Sequence, residues 1–448
     1  MTRLVVLSNR GPLSWSRAPG GELVSRRGAG GLVSALAPAL ESSGGTWIAA
    51  AMSDADRAAP QSPGVELLAV DPVLFAAYRE TVADGFLWFA HHDLWDRPRT
   101  PVIDAVAHSA WDAYVSVNRI FADAALAADG DVVAVQDYHL SLVPAMLKQA
   151  RPDLRVLHFS HTPFATESAL AVLPDPWCRS LVQGLAAADL CGFHTLRWAR
   201  RFEDAVARWG DGIEATVGAF PLGPDPAALA RDAAADRVDA ELAALEAELD
   251  GRRCVLRVDR AELSKNVLRG LHAFDALLRR RPDLAPGTAH VVLLNPSRGY
   301  DAYVRYLDDC LALVAEVNAR HRATAGRDVV LCHAEDRFAR SLAAYRRADV
   351  VVVNAISDGL NLVAKESALV NEHDATLVLS TETGAYEGLA DACLAVDPYD
   401  VEATSRALER ALELDASERH GRASLLRRLA AEYPPADWLA AQLRAVGA

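Results

Sequence analysis

The chain is poor in the features that would place it in a membrane, on nucleic acid or around a metal. No apolar run approaches the ~18 residues that a membrane span needs. No Lys/Arg-rich run stands out in a chain whose formal net charge is −14, which argues against nucleic acid as the main partner. Cysteine is scarce. Cys178, Cys191, Cys254, Cys310, Cys332 and Cys393 are scattered singly with no C-x-x-C pair, so they read as reduced thiols in or near a core and not as metal ligands or a disulfide framework. No internal repeat or low-complexity segment is present. Met1-Thr2-Arg3-Leu4 runs directly into strand-like residues without a signal-peptide pattern. A soluble cytoplasmic protein is therefore expected, with neither a membrane nor nucleic acid as partner.

What the chain does have is length and alternation. At 448 residues with 51% hydrophobic content it exceeds one core and reads as two domains. Short apolar runs at residues 3–10, 45–50, 65–70, 132–136 and 156–160 read as strands, with helical patterns between most of them, including 111–128 and 140–150. A further strand-like segment, 213–220, leads into Pro221-Leu222-Gly223-Pro224-Asp225-Pro226, where regular structure must break. A charged helix over 229–249 follows, then strands at 254–258, 290–294, 329–332, 350–354 and 376–380. Alternation of this kind predicts an α/β fold of two Rossmann-like, doubly wound parallel-sheet domains, with ligands at the carboxyl ends of the strands. The expected boundaries are 1–225, 226–433, and a C-terminal helix over 434–448 that packs back on the first domain.

One stretch organises the rest. In Asp358-Gly359-Leu360-Asn361-Leu362-Val363-Ala364-Lys365-Glu366 an apolar strand ends, a glycine turn follows and a helix begins. The first N–H groups of that helix lack intrahelical partners and the helix dipole favours an anion there, so a diphosphate fits. Asp358 and Glu366 place carboxylates where sugar and ribose hydroxyls would lie. Alone, such a corner would be ordinary structure. A second anion motif alters that reading: Arg257-Val258-Asp259-Arg260-Ala261-Glu262-Leu263-Ser264-Lys265 leaves another strand of the same half with two cations, Arg260 and Lys265, a fork and a point charge suited to a departing diphosphate. In the first half, Gly28-Ala29-Gly30-Gly31-Leu32 is a candidate phosphate cradle or a plain loop. Gln136-Asp137-Tyr138-His139 and His158-Phe159-Ser160-His161-Thr162-Pro163 end two strands in polar residues.

The ordered set SNR, AGGL, QDYHL, HTPF, DRAELSK, NPSRG and DGLNLVAKE resembles the trehalose-6-phosphate synthases, family 20 of the retaining glycosyltransferases, over nearly the whole chain. The resemblance implies the GT-B architecture, two Rossmann-like domains facing across a cleft, with no cofactor and no catalytic metal. It implies a nucleotide-sugar donor bound mainly by the second domain and a sugar-phosphate acceptor bound mainly by the first. Carried over by motif, His161, Arg260, Lys265 and Asp358 are the catalytic set. Arg260, Lys265, Asn361, Leu362, Val363, Glu366 and Gly31 contact the donor, and Arg10, Trp88, Asp137 and Arg298 contact the acceptor. Catalysis then rests on positioning and on the leaving diphosphate, which takes the acceptor's proton.

The chain also departs from the family pattern. Leu87–Trp95 stands where a W-P-x-F-H-Y segment is usual, Arg79 falls near an acceptor-binding Tyr, and the Gly expected after Lys265 is Asn266. Asn266, Asn354 and residues 369–375 resemble the pseudo-glycosyltransferases that couple a GDP-activated cyclitol to an aminocyclitol phosphate. On that likeness a GDP-linked donor is expected. Three readings stand: a synthase joining GDP- or UDP-glucose to glucose 6-phosphate, a pseudo-glycosyltransferase, and an inactive regulatory homologue. The last is disfavoured because Arg260, Lys265, Asp358 and Glu366 are all kept and no phosphatase-like domain is expected to follow. Homo-oligomerisation stays open.

Overall fold

The computed structural model describes the chain except residues 1, 28–32, 34–35, 38–39, 41–42, 61, 298 and 448. It divides into two units, Met1–Leu222 with Pro435–Ala448, and Gly223–Pro434. Among the described residues no helix is long and apolar enough to cross a membrane.

The first unit is built on β1 (Leu4–Arg10), β4 (Thr46–Ala50), β5 (Val65–Leu68), β6 (Val132–Gln136), β7 (Arg155–Ser160), β8 (Leu190–Phe193) and β9 (Val217–Ala219), with a separate hairpin of β2 (Leu13–Arg17) and β3 (Leu23–Arg27). The larger sheet is parallel with the order β5-β4-β1-β6-β7-β8-β9. Its central strands are apolar on both faces because helices cover both faces. Helix Ala105–Ala127 is one of these covers. Asp104 caps it by accepting from the Ala107 N–H at 2.9 Å, and Trp111, Tyr114, Val117 and Phe121 recur at helical spacing along its buried side. Strand order reverses between β1 and β6, whose carboxyl ends carry Arg10 and Asp137.

The second unit repeats the scheme with β10 (Arg253–Arg260), β11 (Thr288–Asn295), β12 (Val330–His333), β13 (Val350–Val353), β14 (Thr376–Ser380) and β15 (Leu394–Val396) in the order β12-β11-β10-β13-β14-β15. This is the Rossmann order, and it reverses between β10 and β13. Those two strands pair only at Val255 with Val350 and Leu256 with Val351. Beyond these residues they part, while β10 stays paired to β11 as far as Arg260. A crevice at the reversal results.

Several expectations needed correction. The strand expected over 213–220 shortens to β9, and the helix expected from 140 begins at Val143 after a 3-10 turn, Tyr138–Leu140. The single helix expected over 229–249 is two, Pro226–Ala233 and Asp236–Leu249, with Ala235 extended between them. The break turns the chain so that Leu229 on one side and Val238, Leu245 and Leu249 on the other all reach the same core. The hairpin, β8 and β15 were not anticipated, being short or, in the hairpin, mixing serine and arginine with few apolar residues.

Helix Pro435–Ala445 closes the first unit. Trp438, 2% exposed, meets Phe159 edge-on at 4.8 Å between ring centroids. Truncating so large a buried ring leaves a cavity. Trp438→Ala is expected to destabilise the first unit by about 3–5 kcal/mol, read as a lower denaturation midpoint. An unchanged midpoint would show that the C-terminal helix adds nothing to that core.

Candidate functional site

In the second unit the strand-order reversal gathers most of the predicted donor residues. After β10 the chain makes a 3-10 turn, Leu263–Lys265, and Asn266 turns it into helix Val267–Arg280. Asn266 does so in the left-handed region at φ 60°, which Asn tolerates better than most side chains. After β13 comes the Asp358 turn, pinned from the side by the Asp358 N–H donating to the Glu382 carbonyl at 3.1 Å and the Gly384 N–H donating to the Asp358 carbonyl at 2.9 Å. A Cβ on Gly384 would lie 2.0 Å from the Gly359 carbonyl oxygen, so only glycine permits this approach. Asn361, again at positive φ (77°), accepts from the Ala364 N–H at 3.1 Å and so caps helix Leu362–Val370. The Leu362 and Val363 amides precede the first intrahelical bond.

The two turns meet through charge. The Lys265 Nζ donates to Asp358 Oδ2 at 2.5 Å, and Asn361 Nδ2 donates to the same oxygen at 3.0 Å. Burial works against the Lys265 charge, but Asp358 and Asp259 outweigh it, so its pKa is raised and it stays an ammonium. Arg260 stands exposed at the strand end, 2.9 Å from Glu262, whose side chain is 0% exposed and also accepts from Ser297 at 2.6 Å. Glu366 lies one turn into the helix, and burial pushes its carboxyl from the ordinary 4.5 up to about 7. Burial also lowers Lys365 to about 8, against the pull of Glu432.

In the first unit the reversal between β1 and β6 holds Arg10 and Asp137. Asp137 takes φ 70°, uncommon for a non-glycine residue and a mark of a site held by its surroundings. Three contacts hold it. Its N–H donates to the Phe159 carbonyl at 2.7 Å, its carboxylate accepts from the His161 N–H at 3.2 Å, and its carbonyl accepts from His158 Nε2 at 3.2 Å. His161 lies 2.9 Å from the Gln136 side-chain oxygen through Nε2. Burial, aided by His158, lowers its pKa to about 3, so the ring is neutral at physiological pH. Arg10 is exposed at the end of β1. Trp88 is placed in the packed interior, its ring stacked on His92 at 3.8 Å. Gly31 and Arg298 lie outside the described residues.

Other groups at these sites were not singled out in advance. Glu262, under Arg260, is buried beside it. Asp84 is buried, accepts from the Tyr138 hydroxyl at 3.2 Å and lies 3.8 Å from His139 Nε2. It sits on a π-helical segment, Ala77–Leu87, that also carries Tyr78 and Arg79. Such widened turns are rare and concentrate at functional sites. The departure from the family pattern at Arg79 was the available signal. Nothing in the sequence marked Asp84 itself.

Comparison with known proteins shows the family. Residues 2–447 match the model of glycosyltransferase family 20. The trehalose-6-phosphate synthase of Mycobacterium avium is 34% identical over 463 aligned residues, covering 97% of this chain and 93% of the relative. An α,α-trehalose-phosphate synthase (UDP-forming) from Burkholderia vietnamiensis superposes with a TM-score of 0.86 at 27% identity, covering 100% of both chains. A second such synthase, from Burkholderia xenovorans in complex with glucose-6-phosphate, gives 0.84 at 25% identity, again over 100% of both.

The Glu366 carboxyl makes stability depend on pH. An acid whose folded pKa exceeds its unfolded value binds more protons folded than unfolded between the two, so its contribution to stability falls as pH rises from 4.5 to about 7. Glu366→Gln cannot titrate. Relative to the wild type it should gain, by at most about 3 kcal/mol, between pH 4.5 and pH 8 in urea unfolding. Parallel pH profiles for the two proteins would contradict a raised Glu366.

Proposed function

The chain belongs to glycosyltransferase family 20, and from that premise we propose that it is a trehalose-6-phosphate synthase, joining the glucose of a nucleotide donor to glucose 6-phosphate as an α,α-1,1 disaccharide phosphate. One observation carries the reading: at the strand-order reversal of the second unit, a lysine bonded to Asp358 and the unladdered amides of a helix N-terminus share one corner. This corner supplies what a leaving diphosphate needs.

In this reading Arg260, Lys265 and the Leu362 and Val363 amides take the charge that grows on the diphosphate. Asp358 and His161 touch the transferred glucose, Glu366 takes the ribose, and Asn361 shapes the turn between them. Arg10, with Arg298, grips the acceptor phosphate while Asp137 orients its sugar, and Gly31 contacts the donor. The anomeric hydroxyl of glucose 6-phosphate attacks C1 of the donor glucose, the bond from C1 to the diphosphate oxygen breaks, and the hydroxyl proton passes to that oxygen on the same face. Configuration is retained, and the second product is the nucleoside diphosphate. Neutral His161 has no proton to spare and acts as a hydrogen-bonding group. We take the donor to be UDP-glucose. The GDP expectation rested on Asn266, Asn354 and residues 369–375, and these have other partners: Asn266 bonds the Asn354 and Pro398 carbonyls, Asn354 receives Arg257, and Asn371 bonds the Tyr345 and Ala348 carbonyls and caps Ala375. A solved relative is UDP-forming.

The test is direct. The protein is incubated with UDP-glucose or GDP-glucose and glucose 6-phosphate, and mass spectrometry and NMR are used to look for a non-reducing disaccharide phosphate. No disaccharide from either donor, with coupling of a GDP-cyclitol to an aminocyclitol phosphate, would overturn the synthase reading. Arg260→Ala and Lys265→Ala should each cost about a hundredfold in turnover, ~3 kcal/mol, with the fold intact. Because side chains and amides carry the positive charge, turnover should persist in EDTA; an absolute need for Mg²⁺ would contradict the assignment.

A further inference from the structure

Beneath the Lys265 turn lies a buried polar network that no ligand contact explains. Arg257 follows the last residue of β10 paired to β13, and its side chain is 0% exposed. It fills the gap where the two strands part. One guanidinium nitrogen donates to Asp259 at 2.8 Å and to the Lys265 carbonyl at 3.0 Å, and another donates to the Asn354 side-chain oxygen. The Asn354 carbonyl accepts from the Asn266 side chain at 2.8 Å, and the second proton of that amide goes to the Pro398 carbonyl at 2.7 Å. The Ile356 N–H donates to the Ser264 carbonyl at 2.8 Å. A Cβ on Gly270 would come within 2.6 Å of the guanidinium, so the glycine leaves the space that Arg257 fills.

We propose that Arg257, Asn354 and Asn266 are positioning residues for the diphosphate site: together they fix the turn that carries Lys265 against the strand that leads into Asp358. The proposal deepens the functional reading above and rests on it. Outside this network the turn after β10 is tied to the segment after β13 by the Ile356 bond and by the Lys265–Asp358 contact itself. A phosphate would compete for that contact. With the network, the Lys265 carbonyl and the residue that follows are each bonded to groups that take no part in binding, so the ammonium keeps its place as Asp358 and the diphosphate share it. Asp259 matches this role. Burial raises its carboxyl to about 6, against the pull of Arg257 and Lys265, and it is spent on holding the guanidinium.

Arg257→Met would leave Asp259 buried without its partner and could fail to fold, so the asparagines carry the test. Asn266→Gly keeps the left-handed turn but removes its side-chain bonds. Asn354→Leu removes the guanidinium's acceptor, and Asn354→Asp keeps it. Calorimetry with UDP and with uridine is combined with steady-state kinetics. Asn266→Gly and Asn354→Leu should weaken UDP and lower kcat by about tenfold, with uridine binding and KM for glucose 6-phosphate within about twofold. Asn354→Asp should recover to within about threefold of the wild type. UDP affinity and kcat unchanged in both asparagine variants would overturn the proposal, as would equal losses for UDP and uridine. If the wild type makes no disaccharide phosphate, the functional reading falls, whereas the comparison of UDP with uridine still decides whether the network positions a diphosphate site.

Discussion

Charge held at the mouth of a parallel sheet is the constraint on which the second unit depends. An ion taken out of water costs several kcal/mol unless it is paired and hydrogen-bonded, yet a site for a departing diphosphate needs cations placed in advance. In the proposed site both demands are met by pairing each cation with a carboxylate near it in sequence or across the strand-order reversal. Arg257 and Asp259 are two residues apart on a strand, hence on one face, and they bond there. Arg260, the last residue of β10, pairs with Glu262 in the turn that follows. Lys265, on the turn, finds Asp358 across the crevice. The run Arg257–Lys265 is thus a set of charges of which the strand period pairs the first two and the turn after β10 places the rest.

The first unit solves a related problem with fewer charges. Its reversal also presents a polar residue at positive φ, Asp137, but the groups around it are imidazoles kept neutral by burial, with His158 lowered to about 4 and His161 to about 3. Neutral rings cost less to bury than cations and still donate and accept hydrogen bonds. The Asp137 peptide is therefore held in an unfavourable conformation by hydrogen bonds, and the cation of the site, Arg10, stays out in solvent at the strand end.

The order of strands and helices was legible because β1, β6, β11 and β13 are built on apolar runs between polar ends, and the period of a buried strand has no competing explanation there. Asp358, Lys265 and Asp137 were legible for the same reason: they stand where such runs stop. Short or charged elements were not. The β2–β3 hairpin mixes serine and arginine with few apolar residues and lies outside the main sheet, and the Ala234–Ala235 break between two helices has no proline or glycine to announce it. Partnerships across sequence were hidden for a different reason. Arg257 with Asn354, and Asp84 with Tyr138, are contacts over 97 and 54 residues, and no local pattern encodes a long-range pair.

The positions at which the chain parts from the family pattern sort themselves by what they touch. Asn266, Asn354 and Asn371 are buried and bonded to backbone or to Arg257, so in the donor half the departures change how a turn or a strand end is held. Arg79 and Trp88–Trp95 are of another kind. Arg79 lies within, and residues 88–95 follow, a π-helical segment whose wider turns shift every later side chain around the axis relative to an α-helix, and inside it Asp84 is turned inward to Tyr138 and His139. A helix that changes its pitch to bury a carboxylate beside the residues after β6 alters the chemistry offered there more than any single substitution could. The departures in the first unit therefore bear on the charge and placement of Asp84 and Arg79 beside the residues after β6, and those in the second on how a turn or a strand end is held.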